Sequence, residues 1–567
     1  MAAVMLASAR TSASDVRIIL NPEWAGRAVA VPSPTELNRT GQQVRITRVS
    51  ALLSGFALRR PDGAAVALPN QYAWIDGASG RLSTVLTGVE DGAYTGLEFT
   101  IGLPQAVDAG DANRWPAGHP LDPLTNGMYW GWQGGYVFAA IEGQWWQTGG
   151  PRRGFSFHLA EGAGSMQAQV AVPFLVKGST VVRCAWDLAA ILRPLEFEAD
   201  GKGSSTHSRA NDPLAGWLAR AVVRAVGWRG ASEDDLVEAS KFRPGPQAMN
   251  SSFIVPWGFP QPRLPADNPI TSAGVELGKA LFFDPRLSGN GTQSCVSCHR
   301  PQHGFADPAA QSVGATGAHG ARHSPSLFNL AWQPAYAWDG SKPLIRDQVR
   351  VAITSPTEMS GHLSRAVERL SADPVAAGRF QKAFGAGAVT AEKIERALEQ
   401  YVLTLVSADS KFDRAARGQA ALLPLEKRGL ELFVTEFDPA HGRHGADCFH
   451  CHGGALFGDY AYRDNGLGWG VREIAGAGAV RDRGRAVVTG NADDDGKFKT
   501  PSLRGVAQRA PYMHDGRLPN LEAVVAYYAN GVNRTPNLDP NLGKHPDSGI
   551  DLSPEDQAAL VAFLKTL

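Results

Sequence analysis

The chain of 567 residues has only five cysteines, no excess of either charge, and no apolar run long enough to cross a bilayer. Lys plus Arg equal Asp plus Glu at 55 each, so net charge points neither to nucleic acid nor to an anionic membrane surface. No segment approaches the roughly 20 consecutive apolar residues of a transmembrane helix. A basic start is missing too. Residues 1–14 carry the apolar run Ala3-Val4-Met5-Leu6-Ala7 and small residues around Ser12-Ala13-Ser14, and read as a shortened leader.

Four of the five cysteines stand in two pentapeptides, Cys295-Val296-Ser297-Cys298-His299 and Cys448-Phe449-His450-Cys451-His452. Cys-x-x-Cys-His supplies two thiols to attach a haem covalently and an imidazole to ligate its iron. No further cysteine pair exists to complete a zinc site instead. Two c-type haems are expected, on Cys295, Cys298 and His299 and on Cys448, Cys451 and His452. Covalent haem attachment takes place outside the cytoplasm, so the expected location is the periplasm. Cys184, in the apolar run Val181-Val182-Arg183-Cys184-Ala185-Trp186, reads as a buried core thiol.

Composition changes along the chain. Residues 15–228 read as β-rich: Val44 and Ile46, then Leu97, Phe99 and Ile101, alternate with polar or small neighbours, and Val170–Val176 suggests another strand. A polar stretch at 229–260, with Phe242-Arg243-Pro244-Gly245-Pro246, suits a linker. Beyond it the period turns helical. Ile394, Leu398, Tyr401 and Leu405 share a face, and Ser553-Pro554-Glu555-Asp556 opens a last helix carrying Leu560, Phe563, Leu564 and Leu567.

From 261 to 567 the text resembles the bacterial dihaem cytochrome c peroxidase and MauG superfamily. The matching segments are Leu277-Gly278-Lys279-Ala280-Leu281-Phe282-Phe283-Asp284-Pro285-Arg286-Leu287-Ser288, Trp338-Asp339-Gly340, Glu358-Met359, Thr500-Pro501-Ser502-Leu503-Arg504-Gly505-Val506 and Ala510-Pro511-Tyr512-Met513-His514-Asp515-Gly516. The resemblance implies two mainly-α cytochrome c domains, 261–415 and 416–567, one haem reacting with hydrogen peroxide and the other relaying electrons. It puts Glu358 at the distal carboxylate that moves protons as the O–O bond breaks, and Gln348 at a second pocket position. Trp338 matches the tryptophan between the haems. Where many of the peroxidases have a histidine that blocks the reactive iron, Ala315 stands here, which implies an open iron; His319 nearby is the alternative blocking group.

Tyr528 falls at the sixth ligand of the second haem in the MauG type, with Met513 as the alternative. Leu521, Val524, Val525 and Tyr528 share one helical face, which turns Tyr528 inward. An anionic oxygen ligand favours storing oxidising equivalents over accepting electrons from a cytochrome. Two calcium-associated positions of the family are replaced, an Asn by His323 and a Thr by Arg509, which speaks against calcium. Ala446 replaces the tryptophan through which MauG oxidises its partner, which speaks against tryptophan tryptophylquinone synthesis on a separate dehydrogenase.

The front part resembles the copper-binding MbnP family over residues 15–228. Ile46-Thr47-Arg48, Tyr94-Thr95-Gly96-Leu97-Glu98-Phe99, Asn126-Gly127-Met128-Tyr129-Trp130-Gly131-Trp132-Gln133-Gly134-Gly135-Tyr136-Val137-Phe138, Ile141-Glu142-Gly143 and Gly154-Phe155-Ser156-Phe157-His158 carry the likeness. In methanobactin-related operons an MbnP protein is paired with a MauG-like dihaem enzyme, MbnH, that converts one of its tryptophans to kynurenine for the copper site. The resemblance implies the two partners fused: a mainly-β, sandwich-like domain followed by the enzyme that oxidises it with hydrogen peroxide.

His158 lies on the strand face opposite Phe155 and Phe157, and with His207 is a candidate copper ligand; His119 is a third. Trp130 and Trp132 are the favoured rings for oxidation, Trp145 and Trp146 the reserve, and all four also read as packing aromatics. Two other functions stay open. One is a peroxide-removing peroxidase fed by a small cytochrome, with the front domain as a docking or copper-binding module, which Tyr528 argues against. The other is a non-enzymatic copper store with electron-transfer haems, which the open His299 site and Glu358 argue against.

Overall fold

The computed structural model describes residues 13–130, 135–164, 166–198, 203–208, 212–233, 253–438, 442–468, 472–474 and 478–567. They fall into two compact units, one of residues Met1–Arg114 and Gly118–Arg243, the other of Trp115–Ala117 and Pro244–Leu567. No helix among the described residues is long and apolar enough to cross a membrane.

Among the described residues the first unit holds a two-stranded pair, Tyr129–Trp130 with Gly135–Tyr136, and two main sheets. In the smaller, Ala13–Trp24 pairs in parallel with Thr180–Asp187, which runs antiparallel to Val226–Glu233. The larger sheet follows the order Gln167–Val176, Gly92–Ile101, Gln43–Arg59, Ala139–Trp146, Arg153–Leu159 and Ser205–Thr206. The expected alternation is present. In Gln167–Val176, Ala168, Val170, Phe174 and Val176 are buried while Gln167, Gln169 and Leu175 face water, as in a sheet with one solvated face. Phe174 stacks on Tyr94 of its own sheet at 5.8 Å and meets Trp228 of the other at 5.9 Å, joining the two in one core. Cys184 is fully buried there, and burial pushes its thiol up to about 12.

The expected boundaries need correction. The strand Val226–Glu233 carries the β unit past 228, because its backbone completes the ladder with Thr180–Asp187. The stretch up to Pro260 already belongs to the helical unit: Phe253 and Phe259 pack on Trp332 at 5.7 and 5.1 Å, and the Trp332 indole donates to the Pro260 carbonyl at 2.7 Å. What is left of the linker, including Phe242–Pro246, lies outside the described residues, as do residues 1–12 of the expected leader; Ala13 already begins a strand.

In the helical unit, Ser272–Phe282 crosses Ala391–Leu403, and Pro424–Phe433 crosses Pro554–Leu564. Side-chain oxygens of Thr271, Thr390 and Ser553 cap three of these helices, satisfying amides that have no partner in the first turn. The two crossings match in detail. A Cβ on Gly278 would lie 1.9 Å from the Ala397 carbonyl oxygen and 2.7 Å from Tyr401 Cβ; on Gly429 it would lie 1.9 Å from Ala559 O and 2.7 Å from Phe563 Cβ. Only glycine lets the backbones come so close. The helix expected to include Leu405 stops at Leu403; the Leu405 carbonyl instead accepts from the Asn329 amide at 2.8 Å.

The likeness extends into an internal repeat. Ser324-Pro325-Ser326-Leu327 through Trp338-Asp339-Gly340 returns at a constant offset as Thr500-Pro501-Ser502-Leu503 through His514-Asp515-Gly516. Ser326 and Ser502 hydroxyls each donate to a carbonyl, Gly304 and Leu456, at 2.5 Å. Left-handed backbone recurs at Asn329 and Gly505, Ala337 and Met513, Gly340 and Gly516. The copies also interlock: the His323 amide donates to the His514 carbonyl at 2.9 Å, and the Lys499 amide, at the place of His323, donates to the Trp338 carbonyl, at the place of His514, at 2.8 Å. The residues expected to form two cytochrome c domains are thus reciprocally joined halves of one compact unit.

Candidate haem cavity and a buried histidine pair

A cavity of about 1020 Å³ in the helical unit takes in both pentapeptides: Cys295, Cys298, His299, Cys448, Cys451 and His452 all line it. It matches the upper end of the ~300–1,000 Å³ usual for ligand sites, which suits bulky macrocycles. The imidazoles are already oriented. His299 Nδ1 donates to the Phe305 carbonyl at 2.9 Å and His452 Nδ1 to the Phe457 carbonyl at 3.2 Å, which leaves Nε2 of each as the lone-pair nitrogen for iron. Both residues whose carbonyls accept these bonds, Phe305 and Phe457, have φ near +57° and +50°, a second trace of the repeat. Burial lowers both imidazole pKa values, His452 to about 4, so the neutral ligand form prevails. The donor set, its tautomers and the space fit two covalently held haems.

On the His299 side, Gln348 from the helix Ile345–Thr354 and Glu358 just beyond it line the cavity. Burial raises the Glu358 carboxyl above its ordinary range, and its charge is felt at Cys295 and Cys298, which places it beside the first pentapeptide. The Ala315 amide donates to the Glu358 carbonyl at 2.6 Å, so this loop is bound to the segment carrying the acid. His319 bridges back to Val313 and is not among the described lining residues.

On the His452 side, Leu521, Val524, Val525 and Tyr528 of the helix Leu521–Ala529 all face the cavity, as does Met513. Asn465, which sequence reasoning did not single out, holds both oxygen and sulfur: its amide donates to the Tyr528 hydroxyl at 3.2 Å and reaches Met513 Sδ at 3.6 Å. Burial pushes the Tyr528 phenol up to about 12. Between the halves, Trp338 lines the cavity and donates its indole N–H to the His323 carbonyl at 2.9 Å. The equivalent residue, His514, stacks on Phe498 at 3.7 Å. His323 Nδ1 donates to the Ala309 carbonyl at 3.1 Å and the Arg509 guanidinium donates to the Ser502 carbonyl, so both residues at the altered calcium positions engage the backbone. Ala446 lines the cavity beside the second pentapeptide.

In the β unit, strand register assembles a second cluster. Glu142 of Ala139–Trp146 lies opposite Arg48 on one neighbouring strand and Ser156 on the other, while the strand Ser205–Thr206, parallel to Arg153–Leu159, delivers His207. His158 Nδ1 lies 3.0 Å from His207 Nε2, and His158 Nε2 lies 2.8 Å from Glu142 Oε1. Trp130 covers the pair, edge-on to His158 at 4.9 Å and stacked on His207 at 5.5 Å. Both histidines are buried. Phe155 and Phe157 turn the other way, onto Phe197, as the alternation required.

The other candidates are elsewhere. Trp145 stacks on Phe197 at 5.6 Å, the Arg152 guanidinium lies over Trp146 at 4.6 Å, and His119 Nδ1 accepts from the Leu121 amide at 3.1 Å. Trp132 lies outside the described residues. Arg48 and Glu142 were visible only as letters of a family motif; the pairing that gives them a role depends on strand register.

Comparison with known proteins agrees with this division. The family model for di-haem cytochrome c peroxidase matches residues 272–421 and the MbnP model residues 13–208. The chain is 37% identical over 322 residues to the methylamine utilization protein MauG of Methylorubrum extorquens, covering 56% of this chain and 84% of that one. It is 34% identical over 302 residues to the cytochrome c551 peroxidase of Pseudomonas aeruginosa, covering 53% and 80%. Among solved structures, a MauG-like protein associated with microbial copper homeostasis aligns with a TM-score of 0.48 at 32% identity, covering 55% of this chain and 94% of that one. The chain belongs to the dihaem cytochrome c peroxidase and MauG family, and carries an MbnP domain ahead of its haem-binding unit.

Proposed function

We propose that this protein is a periplasmic oxidoreductase that uses hydrogen peroxide to convert Trp130 of its own β unit, in the same or a neighbouring molecule, to kynurenine, and so completes a copper site with His158 and His207. The observation that carries this reading is the packing of Trp130 against both imidazoles, which neither Trp145 nor Trp146 shares. When bound, the haems supply iron that reacts with peroxide and holds its oxidising equivalents.

Glu358, with its proton affinity raised by burial, takes a proton from one peroxide oxygen and returns it to the other as the O–O bond breaks. Gln348 orients the peroxide. Tyr528, held by Asn465, would supply the oxygen ligand at the second site, and Trp338, its indole fixed to the His323 carbonyl, would relay electrons between the halves. For each ring, two hydrogen peroxide molecules are reduced, the indole C2–C3 bond breaks, C3 becomes a ketone, C2 leaves as formic acid and one water is formed. Joining enzyme and substrate in one chain raises their effective concentration.

The test is an intact-mass and peptide map of the full protein before and after peroxide. Loss of one carbon and gain of one oxygen at Trp130 is expected, with copper binding appearing only afterwards. His158→Ala and His207→Ala should abolish copper binding while leaving the mass change. Tight stoichiometric copper binding by protein with every tryptophan unmodified would sink the reading. That result would leave the rival favoured by the likeness to cytochrome c551 peroxidases, a peroxide-removing peroxidase with an attached copper module.

A further inference from the structure

Resting on the copper reading above, we propose that Glu142, itself held by Arg48, is a positioning residue that keeps the hydrogen of His158 on Nε2 and thereby turns the Nδ1 lone pair toward His207 to receive the metal. The argument is one of donors and acceptors. A guanidinium only donates and a carboxylate only accepts. Arg48 Nη1 lies 2.9 Å from Glu142 Oε1, so that oxygen already accepts from the guanidinium. His158 Nε2, 2.8 Å from the same acceptor oxygen, is then an N–H side of the ring, and Nδ1 is the nitrogen left to offer a lone pair to a metal.

In the metal-ready ring, with its one hydrogen on Nε2, the 3.0 Å contact between His158 Nδ1 and His207 Nε2 has His207 as donor. A copper ion entering between these nitrogens replaces that hydrogen, which moves to Nδ1 of His207, so neither ring has to lose net protonation. A ligating histidine whose far nitrogen is held by a carboxylate is a recurrent way of fixing tautomer and ring orientation at metals. The same guanidinium reaches Met128 Sδ at 3.3 Å, two residues before Trp130, so Arg48 ties the imidazole and the segment bearing the oxidised ring to one point.

The inference is tested on the peroxide-treated full chain with Cu(I), in competition with a chromophoric chelator, together with long-range ¹⁵N NMR of His158 in metal-free protein. Glu142→Ala should weaken copper binding about 10–100-fold, the usual effect of losing such support, and the His158 ring should lose its Nε2–H preference. Glu142→Gln keeps an oxygen acceptor and should recover most of the affinity and the tautomer, which a merely space-filling role would not require. His207→Ala is the control for the underlying reading: if it binds copper like the parent, the copper site itself is wrong. If His207→Ala abolishes binding while Glu142→Ala changes neither affinity nor tautomer, the role of Glu142 alone is overturned. Should Glu142→Ala fail to fold, Arg48→Gln substitutes for it; a smaller loss of affinity is expected, and full affinity would overturn the inference.

Discussion

The His299 half and the His452 half of the helical unit are built on one frame, with Gly278 against Ala397 in the first and Gly429 against Ala559 in the second. Their open faces differ. Glu358 and Gln348 line one; Tyr528, Met513 and Asn465 line the other. A side chain that can carry a proton suits bond cleavage in a bound peroxide, whereas a phenol fixed by an amide suits a closed site that stores charge. The repeat also put different rings at equivalent places between the halves, Trp338 and His514, of which the indole is the more readily oxidised. The two halves thus share backbone geometry while carrying different side chains at the cavity.

The largest effect expected is from His299→Ala. It should remove the reaction with peroxide and the later mass change at Trp130, followed by stopped-flow absorbance and peptide mapping. His452→Ala should leave the first reaction and lose the second; equal loss of both steps in the two variants would break the proposed division. Next, Glu358→Gln should slow the peroxide reaction by about 10²–10⁴-fold. Because Glu358 must be ionised to accept a proton and burial raises its pKa, the parent rate should climb with pH through a midpoint above the ordinary carboxylate value. That limb should vanish in the variant.

For the closed half, Tyr528→Phe should abolish the low-spin signal of the second haem while the high-spin signal of the first remains. Persistence of the low-spin signal would point to Met513. Gly278→Ala and Gly429→Ala test the shared frame: each forces a methyl into a neighbouring helix backbone and should cost about 1–3 kcal/mol, read from denaturation midpoints. Similar losses sharpen the comparison, and a loss confined to one half weakens it. The smallest effect belongs to Asn465→Ala, which removes one hydrogen bond, about 0.5–1.5 kcal/mol, and should shift but not remove the low-spin signal.

Much of this could be read before folding. The alternation at Val44 and Ile46 and at Leu97, Phe99 and Ile101 marked strands because one buried face imposes a period of two. The inward turn of Tyr528 followed from its spacing to Leu521, Val524 and Val525 on one helix. The linker was overdrawn at both ends because backbone pairing at Val226–Glu233 and aromatic packing of Phe253 and Phe259 leave little trace in local composition. The internal repeat was present as Ser-Pro-Ser-Leu and Thr-Pro-Ser-Leu, and a self-comparison of the chain would have exposed it.

By itself the sequence determined the features whose physics is local: two thiols and an imidazole within five residues, a carboxylate in a matched motif, helix faces and strand alternation. Tertiary structure decided which distant groups meet. Trp130 rather than Trp145 or Trp146 lies on the histidine pair, Glu142 binds His158, Asn465 holds Tyr528, and the two copies exchange hydrogen bonds at His323 and Lys499. These pairings arise from strand register and helix crossing, which bring together residues far apart in the chain and which no short window of sequence contains.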